Sequence, residues 1–401
     1  MDITLAKRFA HLERAQDAAD IVRNCVHCGF CTATCPTYLL LGEESDSPRG
    51  RIYLIRELLE KGSASVKTRT HLDRCLLCRA CETTCPSGVH YSRLLETGRD
   101  LLEQVQPRPG INTLRRKTVA KALVQTPIID TVVKTGVRGR KLLPQSIRKQ
   151  LPASLPDTPW PAARHQRKML ALNGCVQGAL SPQTNLSAAN LLDSIGISLL
   201  RESKTGCCGA VGLHTSDHTM GLQHARQRID LWWPLIDEGI EAIVFTASGC
   251  GVTIKDYGFL LKDDPDYADR AARVSKLAKD ISQVVLENIT QLDQNTGQGR
   301  KIAFHPPCTL QHGLKLSGTV ETILSSVGFD LLAVNNSHLC CGSAGTYSIF
   351  QPNISRQLRT NKLEALQLHQ PEIIATANIG CQQHLRTGAD VDVVHWIELL
   401  A

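Results

Sequence analysis

The sequence has no long apolar segment and no nucleotide-binding motif, and these absences narrow its function. No stretch reaches the roughly 18 unbroken apolar residues of a membrane-spanning helix, so we expect no transmembrane segment. The first residues, MDITLAKRFAHLERAQDAAD, lack the apolar core of a secretory leader, and we expect a cytoplasmic protein. G-x-G-x-x-G, Walker and nucleophile-elbow motifs are also absent, so we expect no flavin or nicotinamide site on this chain.

Cysteine, in contrast, is abundant, with 16 in 401 residues. Disulfide frameworks are typical of small secreted chains, whereas this chain is not small and we expect no secretory leader. In a reducing cytosol, dense cysteine indicates metal binding or catalysis instead of crosslinks.

Positive charge is concentrated between residues 107 and 168, where 14 Lys/Arg face two acids, Asp130 and Asp157, for a net +12. Prolines in its second half predict a linker there: Pro144, Pro152, Pro156, Pro159 and Pro161. Two interpretations stay open, a solvated connector or a basic face that docks a partner subunit or the anionic inner leaflet. Nucleic acid is not an expected partner, because the segment has one aromatic, Trp160, and no helix-turn-helix signature.

Two cysteine runs near the amino end share one spacing. CVHCGFCTATCP (25–36) and CLLCRACETTCP (75–86) both read Cys-x2-Cys-x2-Cys-x3-Cys-Pro, offset by 50 residues. This is the bacterial ferredoxin run, in which the fourth cysteine ligates the other cluster and the proline is expected to end the local helical course. We therefore predict two [4Fe-4S] clusters, the first held by Cys25, Cys28, Cys31 and Cys85 and the second by Cys75, Cys78, Cys81 and Cys35.

Zinc is the alternative for these runs. It needs four tetrahedral ligands, usually two separated Cys-x2-Cys pairs, and would leave good ligands unused here. Between the runs, residues 46–62 predict an amphipathic helix that covers the clusters with Ile52, Ile55, Leu58 and Leu59 on one side. We expect Arg49 and Arg51 to offset cluster charge, the alternative being pairing with surface carboxylates.

The other eight cysteines form a second, duplicated pattern. The first three pairs of equivalent cysteines are 133 residues apart and the last pair is 131 apart, and both copies contain Cys-Cys-Gly. An internal duplication over residues 165–401 is therefore predicted. The candidate redox or cluster site comprises Cys175, Cys207, Cys208 and Cys250 in one copy and Cys308, Cys340, Cys341 and Cys381 in the other.

Each copy predicts strands alternating with helices, hence a parallel α/β sheet. Strands ending on cysteines are expected in 168–175, 241–250, 301–308 and 372–381, and helices in 217–239 and 354–369. Ligands collect at the carboxyl ends of such strands, so one cleft per copy is expected to gather its four cysteines. A non-cubane cluster, a dithiol relay and a substrate-facing site all stay open, as does simple packing of buried thiols.

These patterns predict a fold class of mixed type, a helical two-cluster ferredoxin-type domain followed by two duplicated α/β half-domains. We divide the chain into a ferredoxin-type domain at 1–106 and a basic, proline-containing helical or linker region at 107–164. The first and second Cys-Cys-Gly domains follow at 165–300 and 301–401.

Taken together, the motifs CVHCGFCTATCPTY, DSPRGRIYLI, TASGCG, SHLCCGSAGTY and TANIGCQQHL resemble the iron–sulfur subunit family of bacterial glycolate oxidase. The resemblance implies an electron relay that takes electrons from two FAD-domain partner subunits, which oxidise glycolate to glyoxylate. It also implies a membrane quinone as acceptor and a peripheral position on the cytoplasmic face of the inner membrane.

Related families leave alternatives open, namely an iron–sulfur subunit of a lactate or glycerol-3-phosphate dehydrogenase and a catalytic subunit like that of heterodisulfide reductase. The sequence departs from the broader Cys-Cys-Gly pattern at Ala247 and Asn378, where a further cysteine often stands. Each copy thus has four cysteines, which puts a complete non-cubane cluster in question.

Overall fold

The computed structural model describes residues 1–152, 154–155, 158–202 and 204–401. A helical region comes first, basic helices follow, and two α/β halves with parallel four-stranded sheets complete the described chain. The predicted fold class is confirmed, since helices surround the cysteine runs and both later halves alternate strands with helices.

Short helices surround the two amino-terminal cysteine runs, with 3₁₀ turns at Phe30–Thr32 and Glu44–Asp46. The helices are α1 (Glu13–Arg23), α2 (Pro36–Leu41), α3 (Pro48–Lys61), α4 (Val66–Asp73), α5 (Ala80–Thr84) and α6 (Tyr91–Val105).

Helix α3 illustrates how local sequence sets these boundaries. The Ser47 hydroxyl accepts a hydrogen bond from the Gly50 N–H at 3.0 Å, which caps the first turn, and Pro48 occupies the first helical position. Gly62 ends the helix with a left-handed φ of 65°. The predicted apolar side is present and fully buried, comprising Ile52, Ile55, Leu58 and Leu59.

Much of the basic segment is helical. It contains α7 (Gly110–Val124), α8 (Thr126–Arg138), a 3₁₀ turn at Arg140–Leu142 and the short α9 (Gln145–Arg148). The predicted linker in its second half includes residues 153, 156 and 157, which lie outside the described residues. The remainder of 149–166 that is described contains no helix or strand.

The two α/β halves repeat one topology. The first comprises β1 (Arg167–Ala171), α10 (Gln177–Leu180), α11 (Pro182–Ser194), β2 (Ile197–Arg201), α12 (Ala210–His214), α13 (His218–Asp237), β3 (Ile243–Phe245), α14 (Ser248–Lys255), α15 (Tyr257–Leu260), α16 (Ala268–Leu277), β4 (Ala278–Asp280) and α17 (Ile281–Glu287). After a 3₁₀ turn at Ile289–Gln291, the second comprises β5 (Lys301–His305), a π-helical turn at Thr309–Gly313, α18 (Thr319–Ser326), β6 (Asp330–Leu331), α19 (Tyr347–Phe350), α20 (Pro352–Gln367), β7 (Ile373–Thr376), α21 (Ile379–Arg386), β8 (Asp392–His395) and a 3₁₀ turn at Trp396–Leu399.

Sheet order is β2-β1-β3-β4 in the first half and β6-β5-β7-β8 in the second, with every pairing parallel. In each sheet the connection from the second strand to the third passes over the first strand, so a switch point lies beside β1 and β5. Open parallel sheets bind ligands outside the carboxyl ends of their strands at such a point.

A shared core joins the halves. Ala171 and Val244 of the first sheet belong to the same buried cluster as Phe304 and Ala375 of the second. The fully buried Trp396, next to β8, also lies in this cluster. The two halves are therefore packed as one body around a common apolar interior.

The strands are shorter than predicted, and the cysteines lie beyond them. β1 ends four residues before Cys175, and β5 ends three before Cys308. Cys250 and Cys381 lie in the first turns of α14 and α21, after β3 and β7 have ended. The cysteines nevertheless follow the carboxyl ends of the strands, which is the edge where parallel sheets form sites.

Among the helices that the structure describes, none combines the length and apolar character needed to cross a bilayer.

Helices α3 and α6 approach most closely at Gly98, and a side chain there should destabilise the domain. An added Cβ would lie 2.8 Å from Cγ1 and 2.9 Å from Cδ1 of the fully buried Ile55. Gly98→Ala should cost about 1–3 kcal/mol, because the rigid Ile55 cannot move aside. The melting temperature by circular dichroism of protein handled without oxygen measures this.

Two further variants test the cause of this loss. Gly110→Ala, at an open position where an added Cβ has nothing within 4 Å, should not lower the melting temperature. Gly98→Ala combined with Ile55→Ala should be at least as stable as Ile55→Ala alone, since the new methyl group then fills vacated space. Additive losses would show that the close approach is not the cause.

Candidate functional site

One group of amino-terminal cysteines lines a small cavity below α3. It contains Cys25, Cys28 and Cys31 of the first run and Cys85 of the second, together with backbone of residues 26–30. Cys25 follows the end of α1, and Cys85 follows α5. The three residues from one run thus meet the fourth residue of the other, as the predicted first ligand set requires.

The second group lines an adjacent cavity and contains Cys35 of the first run with Cys75, Cys78 and Cys81 of the second. Cys81 borders both cavities. The two predicted ligand sets therefore lie side by side, and each is completed by a cysteine from the opposite run. The ligand assignment itself stays a prediction.

Left-handed backbone gives both runs the same curled shape. His27 and Gly29 have φ values of 56° and 86°, and Leu77 and Arg79, fifty residues later, have 54° and 60°. Alternating left-handed residues turn successive backbone N–H groups toward a common centre, which favours an anionic guest. The Leu77 N–H already points to Cys75 Sγ at 3.4 Å.

The proline after the fourth cysteine behaves differently in the two runs. We expected it to end a helical course, and in the second run α5 does end at Thr84, just before Cys85 and Pro86. In the first run, however, Pro36 is the first residue of α2. A fixed φ and a missing N–H suit proline to the first helical position, where that N–H has no partner in any case. Cys35 therefore stands at an extended residue just before a helix, with φ of −89°.

Arg51 supplies a buried positive charge to the second group. Its Nη1 lies 4.0 Å from Cys35 Sγ, and its Nη2 donates to Thr37 Oγ1 at 3.0 Å. Asp46, also fully buried, holds the guanidinium at 3.4 Å. Burial by itself lowers the pKa of Arg51, but the neighbouring sulfurs of Cys75 and Cys35 and the other anionic groups raise it overall.

Arg49, beside the first group, is different. Its side chain is 36% exposed and pairs with Glu44 at 2.6 Å, and this hydrogen bond raises the pKa of Arg49. Both arginines therefore have carboxylate partners, but only the charge of Arg51 is shielded from water. Charge interactions are much stronger in such a setting.

Burial also controls the thiols. It raises the pKa of Cys31 to about 11 and those of Cys78 and Cys81 well above the usual thiol range, with further contributions from neighbouring sulfurs. A metal must displace these protons when it binds. Four sulfurs per set and inward N–H groups fit an anionic iron–sulfur cluster in each cavity, and the buried guanidinium of Arg51 adds a positive charge at the second.

In both halves, geometry explains the glycine of Cys-Cys-Gly. Gly209 and Gly342 have φ values of 96° and 91°, and an added Cβ would lie 2.6 Å from a carbonyl oxygen of α13 or α20. Their N–H groups donate to Sγ of Cys207 and Cys340 at 3.3 and 3.4 Å. A side chain would therefore disturb the turn that presents the first cysteine of each pair.

One large cavity of about 780 Å³, not one cleft per half, collects seven of the eight carboxyl-terminal cysteines, all except Cys341. Cys78 from the amino-terminal region also reaches this cavity, so three parts of the chain meet there. Its size is within the range of small-molecule sites. The lining cysteines of the two halves are Cys175, Cys207, Cys208, Cys250, Cys308, Cys340 and Cys381.

Comparison with known proteins identifies the family. Residues 21–89 match the family described as 4Fe-4S dicluster domain, and residues 169–255 and 302–386 each match the family described as Cysteine-rich domain. The chain is 49% identical to the glycolate oxidase iron-sulfur subunit of Escherichia coli (strain K12), covering 100% of this chain and 98% of that relative. The chain belongs to the glycolate oxidase iron–sulfur subunit family.

Other relatives are more distant. A Bacillus subtilis (strain 168) protein named "Probable glycolate oxidase iron-sulfur subunit" is 30% identical, over 94% of this chain and 93% of the relative. Lactate utilization protein A of Oceanobacillus iheyensis is 24% identical, over 56% of this chain and 93% of that protein.

As a member of the glycolate oxidase iron–sulfur subunit family, the chain is an iron–sulfur electron-transfer subunit of an oxidoreductase and works in a complex with other subunits. Its cofactors are [4Fe-4S] clusters. This agrees with the resemblance found in the cysteine runs and with the two cavities that gather their sulfurs.

In this family member, the second cysteine group is in direct contact with the second α/β half. Cys78 packs on the buried cluster that contains Cys308 and Cys340, whose sulfurs are 3.8 Å apart. Tyr347 fixes the contact, because its hydroxyl donates to the Arg74 carbonyl at 2.9 Å. The second amino-terminal cysteine group therefore lies directly beside the carboxyl-terminal cavity, which Cys78 lines.

One residue near the cysteines escaped the sequence analysis. His305, the last residue of β5, lies with Cys341 and Cys381 such that one ligand atom from each is within 4.8 Å of the others. The site residues were predicted from cysteine spacing, and a histidine has no place in that pattern. Aligning the two copies with an offset of 133 residues places Leu172 opposite His305. This difference between the copies is a signal in the sequence that could have identified the histidine.

Removing the buried charge of Arg51 should lower the reduction potential of the cluster beside it. For unit charges roughly 7 Å apart at an effective dielectric constant of about 20, the expected fall in Arg51→Met is on the order of 100 mV. Potentiometric titration followed by EPR measures it.

Arg51→Lys and Arg49→Gln serve as controls. The lysine keeps the charge and should retain most of the potential, and the exposed Arg49 should matter little because water and salt screen it. Equal shifts in Arg51→Met and Arg49→Gln would contradict a specific effect of the buried guanidinium.

Proposed function

We propose that this subunit takes electrons from two FAD-domain partner subunits that oxidise glycolate to glyoxylate, and delivers them to a membrane quinone. Substrate oxidation takes place on the partners, since no flavin or nicotinamide motif is present in this sequence. The observation that carries the proposal is the packing of Cys78, at the wall of the large cavity, on the buried cluster that includes Cys308 and Cys340.

We assign one cluster to Cys25, Cys28, Cys31 and Cys85 and the other to Cys75, Cys78, Cys81 and Cys35. When bound, such clusters accept and donate single electrons. The protein holds the two ligand sets side by side with Cys81 on both cavities, and it places buried polar groups next to the second set. Tyr91 contributes one of them, with its hydroxyl 3.6 Å from Cys75 Sγ.

The two ligand sets differ in exposure, and this suggests a direction. Cys28 is exposed, and near it Val26 and Phe30 are 67% and 61% exposed. Apolar side chains at an exposed cluster site suit a docked flavin subunit. The second set lies deeper and borders the large cavity through Cys78, so we assign the exit of electrons to that side.

The large cavity suits an apolar acceptor. Leucine, valine, phenylalanine and isoleucine side chains line much of it. Charged side chains line other parts, namely Arg79, Arg93, Glu96, Asp256, Arg356 and Arg359, and Gln383 adds an amide. Apolar walls with polar groups at particular points are typical of small-molecule sites, and they suit a ring such as a quinone. The leucine, valine, phenylalanine and isoleucine residues of the lining are Leu76, Leu77, Leu123, Val176, Leu180, Val211, Leu213, Val252, Phe259, Leu260, Ile349 and Ile379.

The basic helices α7 and α8 support a peripheral position at the cytoplasmic face of the inner membrane. Ile111 and Leu114 on α7 are 79% and 66% exposed, and Ile128 and Val132 on α8 are 60% and 63% exposed. Exposed lysines such as Lys121 lie among them. Apolar and basic side chains together are what a helix at an anionic bilayer surface presents.

A second candidate is catalysis within the Cys-Cys-Gly cavity, as in heterodisulfide reduction. The eight cysteines that line the cavity, seven from the two halves together with Cys78, favour it, because a substrate in the cavity would meet sulfur on several sides. A third paramagnetic species on oxidation, distinct from two cubane signals, would support this candidate over a plain relay.

Removal of one exposed ligand should separate flavin reduction from quinone reduction. Cys28→Ser should abolish glycolate-dependent quinone reduction by the assembled complex, while flavin reduction by glycolate continues. Stopped-flow absorbance and a quinone assay measure these steps on the same preparation. Equal loss of both steps would contradict a relay.

His27→Asn is the matched control for Cys28→Ser. His27 is exposed, carries no assigned ligand role and has a left-handed φ of 56° that asparagine tolerates. This variant should retain both flavin reduction and quinone reduction.

Vesicle binding tests the role of the basic helices. The variant Ile128→Ser/Val132→Ser should bind vesicles containing phosphatidylglycerol at least about tenfold more weakly than the unmodified subunit, since two apolar side chains no longer enter the bilayer surface. Co-sedimentation measures this, and Leu368→Ser, at a 56% exposed position on the second half, should bind normally.

The same variant distinguishes a membrane contact from a subunit contact. Unchanged vesicle binding together with weaker binding to the flavin subunits would show that α8 docks a partner protein and would overturn the membrane assignment.

A further inference from the structure

The second α/β half contains a group of metal-ligating side chains that lies apart from the two amino-terminal cysteine groups. One ligand atom each from His305, Cys341 and Cys381 lies within 4.8 Å of the other two. All three residues are buried, with 1%, 1% and 4% exposure. Side chains this close can reach one small ion without a large rearrangement.

His305 is the unusual member. Neither of its ring nitrogens has a hydrogen-bond partner among the described residues, although the side chain is almost completely buried. Buried polar groups are nearly always hydrogen-bonded or bound to a metal, because an unpaired one is costly. The His305 backbone carbonyl accepts a hydrogen bond from Thr376 Oγ1 at 3.0 Å. That bond holds the end of β5 in place and does not involve the imidazole ring.

Comparison of the halves supports a specific role for this histidine. The structures on either side of it are equivalent, since β1 and β5 are paired in the same way and their cysteine pairs are followed by the same left-handed glycine. Yet the first half has Leu172 at this position, buried in an ordinary apolar core. The fold therefore accepts leucine here, and folding alone does not require an imidazole.

We propose that His305, Cys341 and Cys381 bind a zinc ion. Thiolate and imidazole are the donors that zinc prefers, whereas magnesium or calcium would need oxygen. The two thiols lose their protons to solvent as the ion binds, and a neutral imidazole completes a site with no net charge. Such neutrality suits a buried position.

The fourth coordination position faces the large cavity. Cys381 lines that cavity, whereas His305 and Cys341 lie behind its wall. Three protein ligands with one open position for water are typical of zinc sites that are accessible to small molecules. Asn378 supports the sulfur from outside, with its Nδ2 3.6 Å from Cys381 Sγ, in the manner of the outer groups that orient metal ligands.

The assignment also separates the roles of the second-half cysteines. A zinc-bound thiolate pair does not exchange electrons, so Cys341 and Cys381 would leave only Cys308 and Cys340, 3.8 Å apart, as free thiols in that half. Both belong to the buried cluster on which Cys78 packs. The zinc site does not depend on the proposed acceptor or substrate of the subunit.

Metal analysis of the full-length subunit, purified without oxygen and without affinity-tag metals, tests the proposal. We expect about one zinc per chain in addition to cluster iron, and His305→Leu should lower zinc at least tenfold while iron stays unchanged. Cys250→Ser, which changes the first-half counterpart of Cys381, is the matched control and should keep its zinc.

X-ray absorption at the zinc edge of the unmodified protein gives a result that does not depend on any variant folding. The site predicts two sulfurs at roughly 2.3 Å and two nitrogen or oxygen ligands at roughly 2.0–2.1 Å. Zinc below about one tenth per chain, four sulfur ligands, or iron instead of zinc lost in His305→Leu would overturn the proposal. Failure of quinone reduction with zinc intact would instead count against the proposed function alone.

Discussion

The exchange of one cysteine between two short runs is the constraint on which the rest of the structure depends. Each cavity gathers the first three cysteines of one run and the fourth cysteine of the other run, Cys85 or Cys35. Neither site is complete until both runs have folded together, so cluster binding and the folding of this region are coupled. The buried apolar side of α3 packs against cysteines of both sites and against α6.

From this unit the architecture extends toward the carboxyl-terminal halves. Arg79 of the second run pairs with Asp256 of the first half at 2.5 Å, and Thr83 lies 2.9 Å from His312 of the second half. The sulfur groups are thereby held against both halves instead of on a flexible tether. Electron transfer favours such fixed, short separations, and duplication of the α/β unit supplies a cavity with sulfur on both sides.

Local sequence patterns predicted what is locally determined. The apolar spacing of Ile52 to Leu59 predicted α3, and alternation of strands and helices predicted the two parallel sheets. The left-handed backbone at Leu77 was harder to predict from the sequence, because this conformation is rare for leucine and no residue typical of turns marks the position. Proline at position 36 was misassigned for a related reason, since the same residue either ends a helix or begins one.

What the sequence left open is set by long-range packing. Repeat spacing predicted which cysteines belong to each half but not that both halves share one cavity, because their relative orientation depends on the common core around Trp396. His305 carried no motif, and only its lack of partners in the folded chain distinguishes it from a core histidine.

The content of iron and acid-labile sulfide per chain, measured together with EPR on protein purified without oxygen, tests most directly whether the chain carries two clusters. Two [4Fe-4S] clusters give about eight irons and eight sulfides, with two [4Fe-4S] signals on reduction. Colourless protein without acid-labile sulfide, with the amino-terminal cysteines occupied by zinc, would contradict the assignment of two clusters.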